Sequence, residues 1–300
     1  MTDLFDSALL ESVVRAMIPI LLAALGGLVC DKVGVFNIGL EGQMLVGSFA
    51  AVAGSYYTGS ALVGVLTAVV CATAFTSILA VGSASRGAEP IVLGIAMNIL
   101  AVGLTSFLLV GLFGVQGVFQ DPRIAGLGTV AIPGLATVPW LGPVLFRQTC
   151  LGYLAFVLVA VLWVLIYRTA WGLRLRGVGE NPQAAQTLGV NPTAYRYAAI
   201  LGSGVLCGLA GAQLALGNVV QFSENMSAGR GWIAVVAVML ARAHPVGVLG
   251  AAALFGFTEA IGFRLQGQGL PAQITDAVPY VVTLVALLFT ARQFRQRQLV

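Results

Sequence analysis

Residues 150–168 read CLGYLAFVLVAVLWVLIYR, an uncharged apolar run closed by a single arginine. At about 1.5 Å of rise per residue, a helix of that length covers nearly all of the roughly 30 Å hydrocarbon core of a bilayer. The other architecture that satisfies its own backbone in lipid is the closed β-barrel, built from segments of about 10 residues that alternate apolar and polar. Nothing alternates in 155–164 (AFVLVAVLWV) or in 281–289 (VVTLVALLF). The stretch therefore reads as a transmembrane helix, and the fold class follows from how often it recurs.

It recurs at 9–30, 61–83, 90–113, 198–220, 246–263 and 274–291, with shorter apolar pieces at 43–57 and 231–240. Of the 300 residues, 59% are hydrophobic and 9% charged, whereas a soluble domain carries about 25% charged residues. Mean hydropathy is +0.97. So few charges do not make a water-soluble surface for a chain this long. The expected fold is all-α: one transmembrane domain over 1–300, a polytopic membrane bundle of about eight to ten helices. The 38 glycines suit close helix packing in lipid. Pro19 is expected to interrupt the first helix. The start, MTDLFDSALLES, lacks the basic region of a cleavable signal peptide. Cys30, Cys71, Cys150 and Cys207 are scattered and read as buried free thiols.

The arginines set the orientation. Arg168, Arg174 and Arg176 follow one span, and Arg292, Arg295 and Arg297 follow the last. The positive-inside rule places both groups in the cytoplasm, so an even number of crossings separates them, which four satisfies if 231–240 crosses. The same parity turns 114–149 outward. That segment holds Pro122, Pro133, Pro139 and Pro143 with Asp121 and Arg123, and reads as an extended extracytoplasmic loop with a short hairpin or interfacial piece. The side of the N-terminus stays open. The net charge of +4 does not point to nucleic acid.

Two segments depart from the apolar pattern. Residues 31–42, DKVGVFNIGLEG, are polar and Gly-rich and break the early helices. A broken helix frees backbone groups, which lipid tolerates only where protein or a water-filled cavity receives them. Residues 177–192, GVGENPQAAQTLGVNP, have the grammar of a short capped helix. Asn181 serves as N-cap, Pro182 stands at the first helical position, Gly189 fits the left-handed residue after the end, and Pro192 prevents continuation. A helix of about two turns does not stand alone in water, so it lies against its own protein's headgroup edge or, through Ala184, Ala185 and Leu188, in a partner's groove.

The segment ENPQAAQTLGV between two spans resembles the cytoplasmic coupling helix of ATP-binding-cassette importer permeases, in the branch that includes ribose-type, branched-chain amino acid and nucleoside permeases. Residues 33–45 (VGVFNIGLEGQML) resemble the signature of nucleoside or simple-sugar permeases. Residues 229–245 (GRGWIAVVAVMLARAHP) with 246–255 (VGVLGAAALF) resemble their late-chain pattern, except that Ala241 stands where glycine is expected before Arg242. The three stretches keep the family's order and spacing, and the length resembles the shorter of two paralogous permeases.

The resemblance implies a fold and partners. The segment 168–197 would be the cytoplasmic coupling loop, with Glu180, Asn181, Pro182, Ala184, Ala185, Leu188 and Gly189 facing a separate ATPase subunit. A second permease, paralogous or identical, would complete the path, and an extracytoplasmic binding protein would deliver solute to the inner or plasma membrane. Nucleosides are the favoured solute, with simple sugars and branched-chain amino acids as alternatives. This chain would bind no cofactor, ATP and magnesium belonging to the ATPase. Independently, a P-loop needs a Gly-Lys-Ser/Thr sequence, and the only lysine, Lys32, lies between Asp31 and Val33. No metal cluster or catalytic triad stands out, and no enzyme is expected.

Polar residues at membrane depth are expensive and are the candidates for the solute path: Asn37, Glu41, Asn98 and Gln213. Asn37 and Glu41 line the path or brace the break, Glu41 then pairing with Lys32 or an arginine. Asn98 lines the path or joins two helices. Glu259 and Asp276 read as paired or water-facing groups near helix ends. Phe36, Phe107 and Phe222 stack on a base or pack, and His244 reads as part of a cytoplasmic turn. A different class of protein, the self-sufficient secondary transporter, would use Glu41, Glu259 and Asp276 for ion coupling, and has no need of the capped helix.

Overall fold

A computed structural model describes residues 7–131, 146–266 and 281. Its helices in chain order are α1 (Ser7–Asp31), α2 (Leu40–Thr58), α3 (Ala61–Leu79), α4 (Pro90–Phe113), α5 (Cys150–Arg168), α6 (Ala170–Glu180), α7 (Pro182–Thr187), α8 (Pro192–Ala212), α9 (Arg230–Leu240) and α10 (Pro245–Gln266). A π-helical turn, Ala80–Ser85, extends α3, and another, Gln213–Val219, extends α8. Six helical stretches are long and apolar enough to cross a membrane, and the chain is a multi-pass membrane protein. The expected span at 274–291, with Asp276, and the tail arginines lie outside the described residues, as do Pro133, Pro139 and Pro143.

α1 runs unbroken through Pro19. Proline removes the hydrogen bond to the carbonyl four residues back, here that of Arg15. Asn218 Nδ2 reaches that carbonyl at 3.5 Å, so a side chain from the end of the α8 extension supplies the missing donor and the expected interruption does not occur. The break after α1 is also shorter than its sequence suggests. It closes by Gly39, and Glu41 and Gly42 already belong to the first turn of α2.

α2 is the centre of the bundle, packed on α3, α4, α8 and α9, while α1 packs on α8, α9 and α10. The close approach rests on small residues. An added Cβ on Gly211 of α8 would lie 2.5 Å from the Ser48 amide nitrogen of α2, and one on Gly208 would lie 2.7 Å from Val69 Cα of α3. Ser48 Oγ donates to the Met44 carbonyl at 3.0 Å and lies 3.1 Å from the Gly211 carbonyl. At the edge of the bundle, 78% of the α4 window is left unburied, including Ile99 and Phe107, which suits contact with lipid.

The 114–149 segment contains the expected hairpin, β2 (Thr129–Ala131) paired antiparallel with β3 (Arg147–Thr149). It also contains β1 (Val118–Phe119), which pairs with a distant strand, β4 (Phe222–Ser223). Phe222 is therefore an internal packing residue, fully buried with its ring 5.2 Å from that of Phe49. The Arg123 guanidinium stacks 4.1 Å from the Tyr56 ring and pairs with Asp121, and that hydrogen bond holds the Asp121 carboxyl below the usual range.

α9 has 11 residues, about 16 Å of helix against a core of about 30 Å. It crosses only in combination with what precedes it. Its end turns at 241–244 with His244 5.2 Å from Tyr167 at the arginine-bearing end of α5, and β4 ahead of it pairs with β1 toward the other end. The expected crossing at 231–240 would need the irregular stretch and the helix together. In the turn, Arg242 and Ala243 take positive φ, whereas Ala241 has φ −80°. The position where glycine is expected therefore imposes no left-handed backbone, and alanine fits.

Replacing Gly211 with valine should drive β-branched bulk into the α2 backbone and cost about 3 kcal/mol or more, read as a lower melting midpoint in detergent and a shifted size-exclusion profile. Gly103→Ala, whose added Cβ meets nothing within 4 Å, should match the parent. Equal behaviour of the two variants would contradict this packing.

Candidate functional site

Chain geometry brings the candidates to two places, the break between α1 and α2 and the elbow formed by α6 and α7. At the break, Val33 and Val35 donate to the Cys30 carbonyl and Gly34 to that of Asp31, with Gly34 at φ +74°. The chain then passes Asn37, which is buried. Its Oδ1 accepts from the Gly39 amide at 2.9 Å, and its Nδ2 donates to Ser203 Oγ at 3.1 Å and Gln43 Oε1 at 3.3 Å. Asn98 lies on the third turn of α4, about 12 Å from its start at 1.5 Å per residue. Its Oδ1 accepts from the Gly42 amide at 2.8 Å, and its Nδ2 donates to the Ile38 carbonyl at 3.0 Å. Asn98 thus holds both sides of the turn into α2.

Among the described residues Glu41 pairs with no cation. Its carboxylate accepts the Gly229 amide at 2.8 Å and the Gly231 amide at 2.6 Å, capping α9 from a neighbouring helix. The expected pairing with Lys32 or an arginine is replaced because a helix N-terminus offers unpaired N–H groups and the positive end of its dipole. Arg230, the first residue of α9, turns away to form a short ion pair with Glu259 of α10 and donates to the Met226 carbonyl at 3.2 Å. Glu259 lies inside α10 rather than near its end. Arg230 joins this cluster without standing among the candidates that the sequence offered. Its signal was a lone charge at the head of the apolar run 231–240, which in lipid demands an acidic partner.

Gln213, also buried, sits apart from this cluster. Its Oε1 accepts from Thr149 Oγ1 at 2.7 Å and its Nε2 donates to Asn218 Oδ1 at 3.1 Å, the same Asn218 that serves the Arg15 carbonyl. Asn37, Glu41, Asn98 and Gln213 are therefore all engaged with their own protein.

The second place is the elbow. The arginine-rich stretch after α5 is helical, α6, capped by Thr169 accepting from the Gly172 amide. Asn181 then caps α7, its Oδ1 accepting from the Ala184 amide at 3.0 Å, with Pro182 at the start. Gly189 has φ +79° and Val190 donates back to the Ala185 carbonyl at 3.0 Å, closing the helix as its residues dictate. The apolar face divides. Ala185 is buried against the protein, whereas Ala184 and Glu180 are exposed and Leu188 is 83% exposed. At the other end of the elbow Gly179 meets the carbonyl of Lys32 so closely that no side chain fits between them. The elbow thus touches the break backbone to backbone at Gly179, and the Lys32 ammonium also feels the charges of Arg176 and Glu180. Among the described residues no group of His, Cys, Asp and Glu is arranged to hold a metal.

Residues 9–287 match the family model described as branched-chain amino acid transport system / permease component. The chain is 36% identical over 283 residues to the nucleoside ABC transporter permease protein NupC of Lactococcus lactis, covering 90% of this chain and 87% of that one. It is 35% identical over 280 residues to the guanosine ABC transporter permease protein NupQ of Bacillus subtilis, again 90% and 87%. A second guanosine ABC transporter permease protein of that organism, NupP, matches at 28% over 294 residues, 95% of this chain and 81% of its own length.

Glu259→Leu should leave Arg230 charged and unpaired at membrane depth and cost about 3–5 kcal/mol, while the double variant Arg230→Met with Glu259→Leu should recover most of that loss. Thermal melts of the parent, both single variants and the double variant test this. A double variant no better than the worse single one would show that the pair is not an isolated electrostatic unit.

Proposed function

The chain belongs to the family of permease components of the branched-chain amino acid transport system, and from that premise we propose that it is the membrane-spanning subunit of an ATP-binding-cassette importer whose solute is a nucleoside. The observation that carries the proposal is the elbow. Its short helix α7 is capped at its start, closed at its end and anchored through Ala185, yet it presents Leu188 bare. A two-turn helix with an exposed leucine is a costly thing to leave in water, and an ATPase subunit docked on Ala184 and Leu188 would cover it. By the positive-inside rule the arginines of α6 would put this elbow in the cytoplasm, and 114–131 would then face outward.

Alternating access would follow from the same geometry. Movement of α7 on the closing ATPases would reach the break where Gly179 meets Lys32, and from the break α2, α4, α8 and α9 through Asn98, Asn37 and Glu41. Nucleosides are favoured because NupC and NupQ are named as nucleoside and guanosine permeases. Simple sugars are the second candidate, on the sequence pattern of 33–45. The presence of two matching guanosine permease proteins in Bacillus subtilis supports pairing with a longer paralogue, and solute would arrive on an extracytoplasmic binding protein. ATP and magnesium would bind the ATPase. The self-sufficient secondary transporter is less well supported, since Glu41 and Glu259 are already committed to backbone amides and to Arg230.

Gentle extraction from native membranes should recover an ATPase subunit with this protein. Ala184→Asp with Leu188→Asp should abolish that recovery and ATP-dependent nucleoside uptake while leaving the stability of the membrane protein within about 0.5 kcal/mol of the parent. Uptake that persists without any associated ATPase would sink the proposal. Competition by sugars but not by nucleosides would keep the class and change the solute.

A further inference from the structure

Beside α7 lies a cleft of about 490 Å³ between that helix and the start of α8, lined among others by Gln183, Gln186, Asn191, Thr193 and Arg196. Arg196 is the only charged residue in its lining. The Nε of that guanidinium is buried and has no hydrogen-bond partner among the described residues, and Asn191 is already committed to the Ala194 amide as the cap of α8. The cleft therefore pairs a half-buried cation with amide and hydroxyl groups and contains no acid. Because the Nε is shut off from solvent, a carboxylate entering the cleft would meet the terminal N–H groups of the guanidinium rather than the Nε. A guanidinium fork matches a carboxylate in shape and charge.

The cleft also adjoins the exposed face of α7. We propose that it is a socket for an acidic side chain of the ATPase subunit, with the carboxylate paired to Arg196 while Leu188 is covered beside it. This rests on the proposal that α7 docks an ATPase and adds the chemistry of the second contact. Leu188 would supply buried area, and Arg196 would supply charge complementarity and so fix the register of the two subunits, since complementary charges across an interface set orientation and partner choice more than bulk affinity.

The test uses the full-length permease in lipid nanodiscs and the ATPase subunit that co-purifies with it, titrated over rising sodium chloride. Wild-type affinity should fall as salt screens the pair. Arg196→Gln should weaken binding about tenfold at low salt and flatten the salt dependence, with the melting midpoint of the permease unchanged. Arg196→Lys should restore the salt dependence but only part of the affinity, because an ammonium lacks the fork. Arg174→Gln, an exposed arginine of α6 outside the cleft, should bind as the wild type does. A wild-type affinity indifferent to salt overturns the socket without needing any variant. So does an Arg196→Gln titration that superimposes on the wild type, or an Arg174→Gln loss equal to that of Arg196→Gln, which would indicate a diffuse basic field. Failure of docking itself reads differently, since the ATPase would then not bind wild-type permease at any salt.

Discussion

A polypeptide that leaves helical geometry inside a bilayer must still give every backbone N–H and C=O a partner, and water is not there to supply one. Among the described residues this chain leaves helical geometry twice between helices of the bundle core, at 32–39 between α1 and α2 and at 220–229 ahead of α9. Each departure is repaired by a side chain from another element. Asn98 of α4 serves one donor and one acceptor of the first break, Asn37 serves the Gly39 amide within it, and Glu41 serves two amides of the second. The two breaks are thereby linked, because the helix that begins after the first carries the carboxylate that caps the helix after the second. The central position of α2 and the small residues that let α8 approach it both accommodate that link.

The spans were legible because length and apolarity act locally. Residues 90–113 and 150–168 form helices where their hydropathy ends, with Pro90 at one start and Gly114 in the left-handed conformation at one end. What was not legible depended on partners far along the chain. The Pro19 interruption was a sound local inference and failed because Asn218 lies some two hundred positions away. The β1–β4 pairing is two residues long on each side, too short to leave any periodicity. α6 looked like a loop because arginines and glycines crowd it, yet its helix buries one face, Leu175 and Val178, lays Arg176 over the Tyr167 ring and leaves Arg174 exposed.

The site was legible in residue type and obscure in geometry. Every polar residue singled out at depth and described has a specific partner, as the cost of burying an unmade hydrogen bond favours, although the second carboxylate oxygen of Glu259 is buried with none among the described residues. The partners were another matter. A carboxylate in an apolar segment suggests a cation, and Glu41 instead found the amides of a helix start, which carry no letter in the sequence. Arg230 and Glu259 were each visible, but only the fold says that α9 and α10 place them together. The α7 helix is the opposite case. Its cap, proline, glycine and stop are encoded within a dozen residues and appear where they were expected, while the division of its apolar face into buried Ala185 and bare Leu188 needed the body of the protein against it.

These commitments bear on where selectivity resides. For Asn37, Glu41, Asn98 or Gln213 to grip a solute, each would have to release partners it now holds, and each release leaves a buried donor or acceptor costing about 1–3 kcal/mol. A solute hydroxyl or base edge would have to repay that before contributing any affinity of its own. A pathway formed from what remains would consist of apolar walls and already satisfied backbone, and would discriminate weakly between small polar molecules of similar size. That suits a subunit that passes a solute already chosen by another protein, and it suits a helix bundle whose polar groups hold its breaks in place while an exposed elbow receives the driving motion. On the proposed function, the strong internal bonds and the bare leucine would be two sides of one division of labour, with recognition and energy supplied from outside the bilayer and geometry supplied within it.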